Sequence, residues 1–433
     1  MDKRSFDAIV IGSGMGGLTT ASLLAQAAKM RVLVLERHFK LGGFTHSFRR
    51  KQFEWDTGIH YVGQMQSGTL TRRVMDYVTG GSVEWNPMSE VVERLLFPDT
   101  SFEIPRGSGN LHAKLVERFP DERAAIDRYF RDVRKAQLWM NRWFIAKTLP
   151  KYAADLWLRF GKARAMQITA ERLLAVKSDE LRAILTAQWP DYGTPPEQSA
   201  FAVHATVAAD YFDGGFFPVG GGRTIAECVK TIVTQRGGEC RTGHEAVRIL
   251  TKQNRVTGVR VRHKGDEFEV RAPVVISNVG ARNTFAKLLD DNVVAAERSK
   301  LDQIAQGVSA VVLFLGLNSD PRDHGFDDAN YWIYSSLDVG RESDSTETER
   351  FPLNAAFVSF GSLRDPQKKT HTAQIITFCN SDSWKAFEDS QWMRAVATMK
   401  LARNASPSLC WSLPNDPCPD CETWLNITSW QRR

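Results

Sequence analysis

The sequence predicts an α/β fold: a nucleotide-binding sheet assembled from two separated chain segments, with a helix-rich α+β region between them. Three observations predict it. The N-terminus runs strand, glycine turn, helix, strand within about 30 residues. A second glycine turn, a helix and short alternating strands return at 216–290. The stretch between them is helical in pattern and rich in aromatic and basic residues.

The first element is "FDAIVIGSGMGGLTTASLLAQAAKMRVLVLER". Ala8 to Ile11 is a buried-strand run, and Leu18, Ala21, Leu24 and Ala25 then recur at helical spacing. Val32 to Leu35 is a second apolar strand, ending at Glu36. The turn Gly12-Ser13-Gly14-Met15-Gly16-Gly17 holds the pattern G-x-G-x-x-G. Gly12 permits a tight turn, Gly14 keeps side-chain bulk away from a pyrophosphate, and Gly17 lets the helix approach the sheet. The helix N-terminus offers unpaired N–H groups to phosphate oxygens. Glu36 is placed to accept from both hydroxyls of a ribose, and its charge disfavours a 2′-phosphate. Arg37 beside it weakens that exclusion.

The next element, "GGFTHSFRRKQFEWDTGIHYVG" from Gly42, is neither a clear helix nor a clear strand. Gly42 and Gly43 follow the ribose acid directly, where a second glycine pair lets a long, extended FAD pass close to the backbone. FAD is therefore the expected cofactor, with NAD(P) compatible as an electron donor. Arg49, or its neighbour Arg50, is a candidate for the pyrophosphate or the anionic edge of a flavin; a solvated basic turn is the alternative. Asp56 is expected to hold a turn, because Asp before Gly often bonds nearby backbone. Gly58 lets backbone pass close to the ring, and His60 and Tyr61 are the candidate catalytic residues.

With "GGFTHSF…FEWDTGIHYVG", the chain resembles the phytoene desaturase, carotenoid isomerase and retinol saturase group of flavoproteins. The stretches "LRAILTAQWPDYGTPPEQSAFAVHATVAADYFDGGFFPVGGGRTIAECV" (181–229), "AVRIL" with "RVTGVRV" and "APVVISNVGARNTF" (246–286), and "FVSFGSLRDP" (357–366) are similar to the same group. The resemblance implies an FAD/NAD(P)-binding Rossmann-like domain interleaved with an α+β substrate domain that forms an apolar tunnel toward the flavin. On that pattern, 1–65 and 216–290 build the FAD domain, while 66–215 (largely helical) and 291–400 build the substrate domain. Val247 is then expected to lie against the adenine. The implied activity is oxidation, reduction or isomerisation of C=C bonds in a polyene or similar apolar lipid, with hydride passing through flavin N5. An amine-oxidase type of flavoenzyme is a further reading.

Residues 216–290 support this from pattern alone. "VTGVRVRHKGDEFEVRAPVVISNV" reads as a hairpin followed by a buried strand. "PVGGG" (218–222) reads as a strand-to-helix bend, with a second phosphate site as the alternative. Asp191-Tyr192 and His204 are candidates to line the cavity. Trp139, Trp143, Phe144, Trp157 and Phe160 alternate with Lys147, Lys151, Arg159, Lys162 and Arg164. That mixture suits either an interfacial helix on a membrane or a cover for the substrate-domain core.

Composition limits the remaining classes. The 433 residues are 42% hydrophobic and 24% charged, which is globular. A net charge of +6 without a nucleic-acid motif gives no reason to expect nucleic acid as a partner. Six cysteines are too few for a disulfide scaffold. The "CPDC" at 418–421 lacks a second ligand pair, so no metal site is expected. No run reaches the ~18 apolar residues of a spanning helix. The chain is expected in a reducing cytoplasm, or lying on a membrane surface without crossing it. Residues 401–433 carry no strand–helix periodicity and no Gly-rich closing motif, and a divergent or shortened tail is expected there. A nucleotide-binding protein with an incomplete flavin site is the alternative that this tail raises.

Overall fold

Ala8–Ile11 and Val32–Leu35 are unbroken aliphatic runs, and all of their residues are buried. Such runs need cover on both faces, which parallel sheets provide. In the computed structural model, which describes residues 5–253, 255–290, 298–301, 308–340, 355–380 and 423–428, the two strands pair in parallel with Ala8 opposite Val32. The sheet order is Val274–Ser277, Ala8–Ile11, Val32–Leu35, Glu239–Arg241. Val10, Val32 and Val34 pack on one face against helices Met15–Gln26 and Arg223–Gln235. Ile9, Ile11, Leu33 and Leu35 pack on the other against Ile249, Val259, Val261 and Val270. Those residues belong to an antiparallel meander of Glu245–Lys252, Arg255–His263 and Asp266–Arg271. Lys264 and Gly265 close its second hairpin with φ of +52° and +97°, the left-handed geometry that two-residue hairpin turns require. The expected buried strand at 274–277 is an edge strand, with Val274 39% exposed.

A seven-stranded sheet forms the second layer, in the order Thr423–Thr428, Val308–Leu317, His371–Asn380, Ala355–Ser359, Asn330–Tyr334, Val91–Leu96, Ser101–Pro105. Residues 66–215 are largely helical, and within them Val91–Leu96 and Ser101–Pro105 form a hairpin that joins this sheet. Short, charge-bearing strands of this kind give a weak pattern until a partner buries them. The tail contributes an edge strand at Thr423–Thr428, paired antiparallel to Val308–Leu317. The "CPDC" thiols lie outside the described residues. Cys228 and Cys240 are free thiols.

Helices Arg123–Ala146, Asp179–Thr186 and Phe201–Tyr211 cover one face of the large sheet through Ile126, Val133, Leu181, Ile184 and Phe201. The hairpin Ser47–Arg50/Phe53–Asp56 joins the two sheets. Trp55 is 2% exposed, and its indole donates to the Leu315 carbonyl at 3.0 Å. The segment following the nucleotide motif is thereby bolted to the second layer.

Candidate functional site

The glycine turn packs as its spacing requires. Gly12 has φ +91°, and a Cβ on Gly17 would lie 2.0 Å from the Gly12 carbonyl oxygen. Helix Met15–Gln26 begins at Gly14 with no side-chain cap and no acidic residue in its first turn. Its first N–H groups therefore remain available to an anion. Gly43 has φ +57°, and a Cβ there would lie 2.8 Å from Gly14 Cα. The two glycine segments form one close-walled cradle, and Gly16 sits against the Asn278 side chain.

Glu36 organises this cradle. Its Oε2 accepts from the Ser13 N–H at 2.9 Å and the Ser13 Oγ–H at 2.6 Å, and its Oε1 accepts from the His38 N–H at 2.7 Å. The Gly42 N–H reaches Ser13 Oγ at 3.1 Å. Arg37 is exposed beside them. Val247 is the extra residue of a β-bulge between Ala246 and Arg248, so its backbone is out of register with the neighbouring strand. The same strand starts beside Glu36, whose carbonyl accepts from the His244 N–H at 2.9 Å. These residues suit an adenine dinucleotide: an uncapped helix start, a wall that a Cβ would fill, a fixed carboxylate and a bulged strand.

Other candidates serve the scaffold. Arg49 donates to Glu54 and is 66% exposed, so a cofactor contact would require that ion pair to open. Asp56 is buried, and its Oδ1 accepts from Ser47 Oγ and from the Gly222 N–H, both at 2.7 Å. Asp365 accepts from the Gly220 N–H at 3.1 Å. Two carboxylates fill the Gly220–Gly222 turn and would repel a phosphate, so that turn is the strand-to-helix bend.

Past the hairpin, the chain reaches a polar recess. Gly58 is exposed, His60 is half-buried, and Tyr211 stacks on Tyr61 at 4.0 Å. Tyr61 reaches Glu93 Oε1 at 2.5 Å and Asp191 Oδ2 at 3.1 Å. Gln188 Nε2 donates to the same Glu93 oxygen at 2.7 Å. Glu93 Oε2 is buried without a hydrogen bond. The Trp332 indole is close enough to favour the ionised carboxylate, yet its N–H makes no formed bond. Asp191 is solvent-exposed by surface area, although protein surrounds its carboxyl closely enough for desolvation to dominate its acidity. That combination of exposure and close protein surroundings points to a recess rather than an open surface.

Desolvation, reinforced by the charge of Glu93, pushes Asp191 up to about 8. Burial pushes Glu93 up to about 7 against the hydrogen bonds from Tyr61 and Gln188. His60 is pushed down to about 3 by burial and by the charge of Arg364. Its imidazole is neutral near pH 7 and supplies no charge. His204 is likewise neutral, pushed down to about 4 by burial, between Tyr129 at 3.0 Å and Tyr192 at 3.4 Å. Among the described residues, no group of three or more His, Cys, Asp or Glu could hold a metal ion.

A model of the NAD(P)-binding Rossmann-like domain matches residues 10–78, and one of the FAD binding domain matches 115–307. All-trans-retinol 13,14-reductase of Danio rerio is 30% identical over 416 residues, spanning 90% of this chain and 68% of the relative. The chain belongs to the retinol saturase and carotenoid isomerase-like family of FAD oxidoreductases. The Homo sapiens all-trans-retinol 13,14-reductase is 32% identical over 84% of this chain, and the match spans 63% of the human protein's length. The chloroplastic prolycopene isomerase of Daucus carota is 24% identical over 90% of this chain. FAD is the family's cofactor, and the cradle above fits its ADP half. Of the recess, sequence reasoning singled out His60, Tyr61 and Asp191. It missed Glu93, Gln188, Tyr211 and Arg364. The one available signal for Glu93 was its place inside the apolar run "VVERLL".

Proposed function

We propose that this chain acts on C=C bonds of a polyene or similar apolar lipid, reducing, desaturating or isomerising them with FAD. One observation carries the reading. A single stretch runs from Gly43, against the phosphate loop at Gly14, to His60 and Tyr61 on the recess wall. The cofactor cradle and the Tyr61 cluster are held by the two ends of one stretch of chain. Gly12 to Gly17 with Glu36 would hold the ADP half, Val247 would meet the adenine, and Gly42, Gly43 and Gly58 would let the extended cofactor pass. Bound FAD would supply the hydride acceptor or donor at its N5. The residues of this chain hold the substrate and the mobile proton. Neutral His60, packed edge-on to Phe357 at 5.3 Å, and the Tyr61–Tyr211 stack give the recess an aromatic wall suited to a conjugated chain. The names of the human and carrot relatives support a retinoid or carotenoid-like substrate. Purified chain reconstituted with FAD is expected to show flavin absorbance and to change the spectrum of a reduced- or oxidised-polyene pair. Failure to retain any flavin, or flavin without effect on a polyene panel, would overturn the reading.

Peripheral membrane contact belongs to the same proposal, since an apolar substrate would enter from a bilayer. Leu138, Phe144, Ile145, Tyr152, Leu156 and Phe160 are 51 to 79% exposed on helices Arg123–Ala146 and Lys151–Arg159 and at the end of the latter. Lys147 sits 3.7 Å over the Trp143 ring, and Lys151 and Arg159 border the patch. Exposed apolar side chains bordered by basic ones are the pattern of an interfacial surface. Among the described residues, no helix is long and apolar enough to cross a membrane. Co-sedimentation with anionic vesicles is expected at low salt, where surface attraction is strongest. Leu156→Ser combined with Phe160→Ser is expected to weaken binding by about tenfold or more, from the lost apolar burial. Equal sedimentation of the variant, or none by the parent, would refute this contact.

A further inference from the structure

The hydrogen bonds of Tyr61 carry an assignment of protons. A phenol has one proton, yet the Tyr61 oxygen lies within bonding reach of carboxyl oxygens on both sides, Glu93 at 2.5 Å and Asp191 at 3.1 Å. Glu93 Oε1 also takes the Gln188 N–H at 2.7 Å, so it already acts as an acceptor. Glu93 is fully buried, whereas Asp191 keeps access to the recess. The arrangement that satisfies the bonded oxygens runs in one direction. Tyr61 donates to an ionised Glu93, and a protonated Asp191 donates to Tyr61. Two like charges joined through one phenol in a desolvated site would repel, which opposes ionising both acids.

We propose that Asp191 is the proton-delivering carboxylic acid on the wall of this recess, aligned by Tyr61 and Glu93 as positioning residues. The proposal rests on the C=C reading above. In the reducing direction, bound reduced flavin would supply a hydride to one carbon of a double bond. The Asp191 O–H bond breaks as a C–H bond forms on the adjacent carbon, leaving a carboxylate. Tyr61 can then turn its O–H from Glu93 to Asp191, while Gln188 continues to hold Glu93. Water entering the recess returns the proton to Asp191. In the oxidising direction, the same carboxylate takes the proton. The groups facing the pair are Arg364, whose charge favours ionised Glu93, and the phenols Tyr211 and Tyr334, which feel both acids, with Tyr192 beside Asp191.

The test uses the full chain with FAD and compares Asp191→Asn, Glu93→Gln and Tyr61→Phe. Difference infrared spectra in H2O and D2O read the protonated carboxyl directly and need no substrate. A carboxyl band is expected at pH 7. It should vanish in Asp191→Asn and titrate away at least one pH unit lower in Glu93→Gln, where the neighbouring charge is gone. Tyr61→Phe should also move its titration. A carboxyl band of the same intensity in Asp191→Asn as in the parent, or none in the parent at pH 6, overturns the assignment. With a polyene that the parent turns over, Asp191→Asn is expected to lower kcat at least 100-fold with KM within threefold. An unchanged kcat overturns the catalytic role. If the parent turns over no polyene while the infrared result holds, the C=C reading fails and the proton assignment stands. Thermal melting of each variant separates misfolding from either outcome, and Glu93→Gln, which keeps the shape, remains informative if Asp191→Asn does not fold.

Discussion

Gly17→Ala is expected to abolish FAD retention and to destabilise the chain by about 3 kcal/mol, at the upper end of the cost of over-packing. The added Cβ would sit 2.0 Å from the Gly12 carbonyl oxygen and 3.1 Å from its carbon. Neither neighbour can yield cheaply. The clash is with backbone, and Gly12 is locked at φ +91° with its own Cβ position filled by Val279 and Asn278. Relief would require the helix to lift from the strand. That movement would open the contacts made by Leu18 and Ala21 with the sheet and tilt the N–H groups of the helix start away from the pyrophosphate. Gly109→Ala is the matched control. Gly109 lies in helix Ser108–Arg118 with nothing within 4 Å of its Cβ position. That change is expected to be neutral or to stabilise by about 0.5–1 kcal/mol through helix propensity. Flavin content per chain and urea unfolding measure both. Stoichiometric flavin in Gly17→Ala would show that the helix does not need this approach.

The contrast between the two ends of the site explains what the sequence could reveal. The nucleotide cradle is built almost wholly within residues 12–43, so its geometry is written into local spacing. Gly17 must be glycine because Gly12 is its neighbour in space, five positions back along one turn. The recess has no such locality. Glu93 arrives on a strand that pairs in parallel with Asn330–Tyr334, placing it opposite Asn330, and Asp191 follows a separate helix. Nothing in "VVERLL" says that the glutamate faces inward until that pairing exists. Asp56 was legible as a turn holder from its following residues. Its partner in that role, Asp365, was not, because the two meet only where the Gly220–Gly222 bend passes between them. The strands within 66–215 were hidden for the same reason: they gain their burial from chain that lies more than two hundred residues away.

Arg364 gives the second large effect. It stands in the stretch "SFGSLRDP" and is 1% exposed. All five of its N–H groups are used. Nε donates to the Asp328 carbonyl at 2.8 Å, Nη1 to the His60 carbonyl at 2.7 Å and Ser359 Oγ at 2.8 Å, and Nη2 to the Ala329 carbonyl at 3.1 Å and Asn330 Oδ1 at 2.7 Å. Burial lowers its pKa to about 10, leaving it charged at pH 7. No carboxylate touches it, so the charge is stabilised by neutral dipoles and, at longer range, by Asp328 and Glu93. Arg364→Met keeps most of the volume but strands those acceptors in a dry site. A loss of about 3–5 kcal/mol is expected, the scale for breaking a buried charged network. Arg364→Lys keeps the charge with three donors in place of a planar five, so it should recover part of that loss. The functional effect should be directional. The guanidinium ties the His60 backbone to the strand that sets Glu93, while the ADP cradle is built elsewhere. At temperatures where Arg364→Met is still folded, flavin retention should fall less than polyene turnover. The removal of the cation should also raise the pKa of Glu93 and relieve the depression at His60, since Arg364 acts on both in those directions. The Glu93 titration should therefore move to higher pH in Arg364→Met, while the Asp191 titration seen by infrared moves to lower pH in Glu93→Gln. Opposite movement in these two variants is a result that loosened packing alone does not produce.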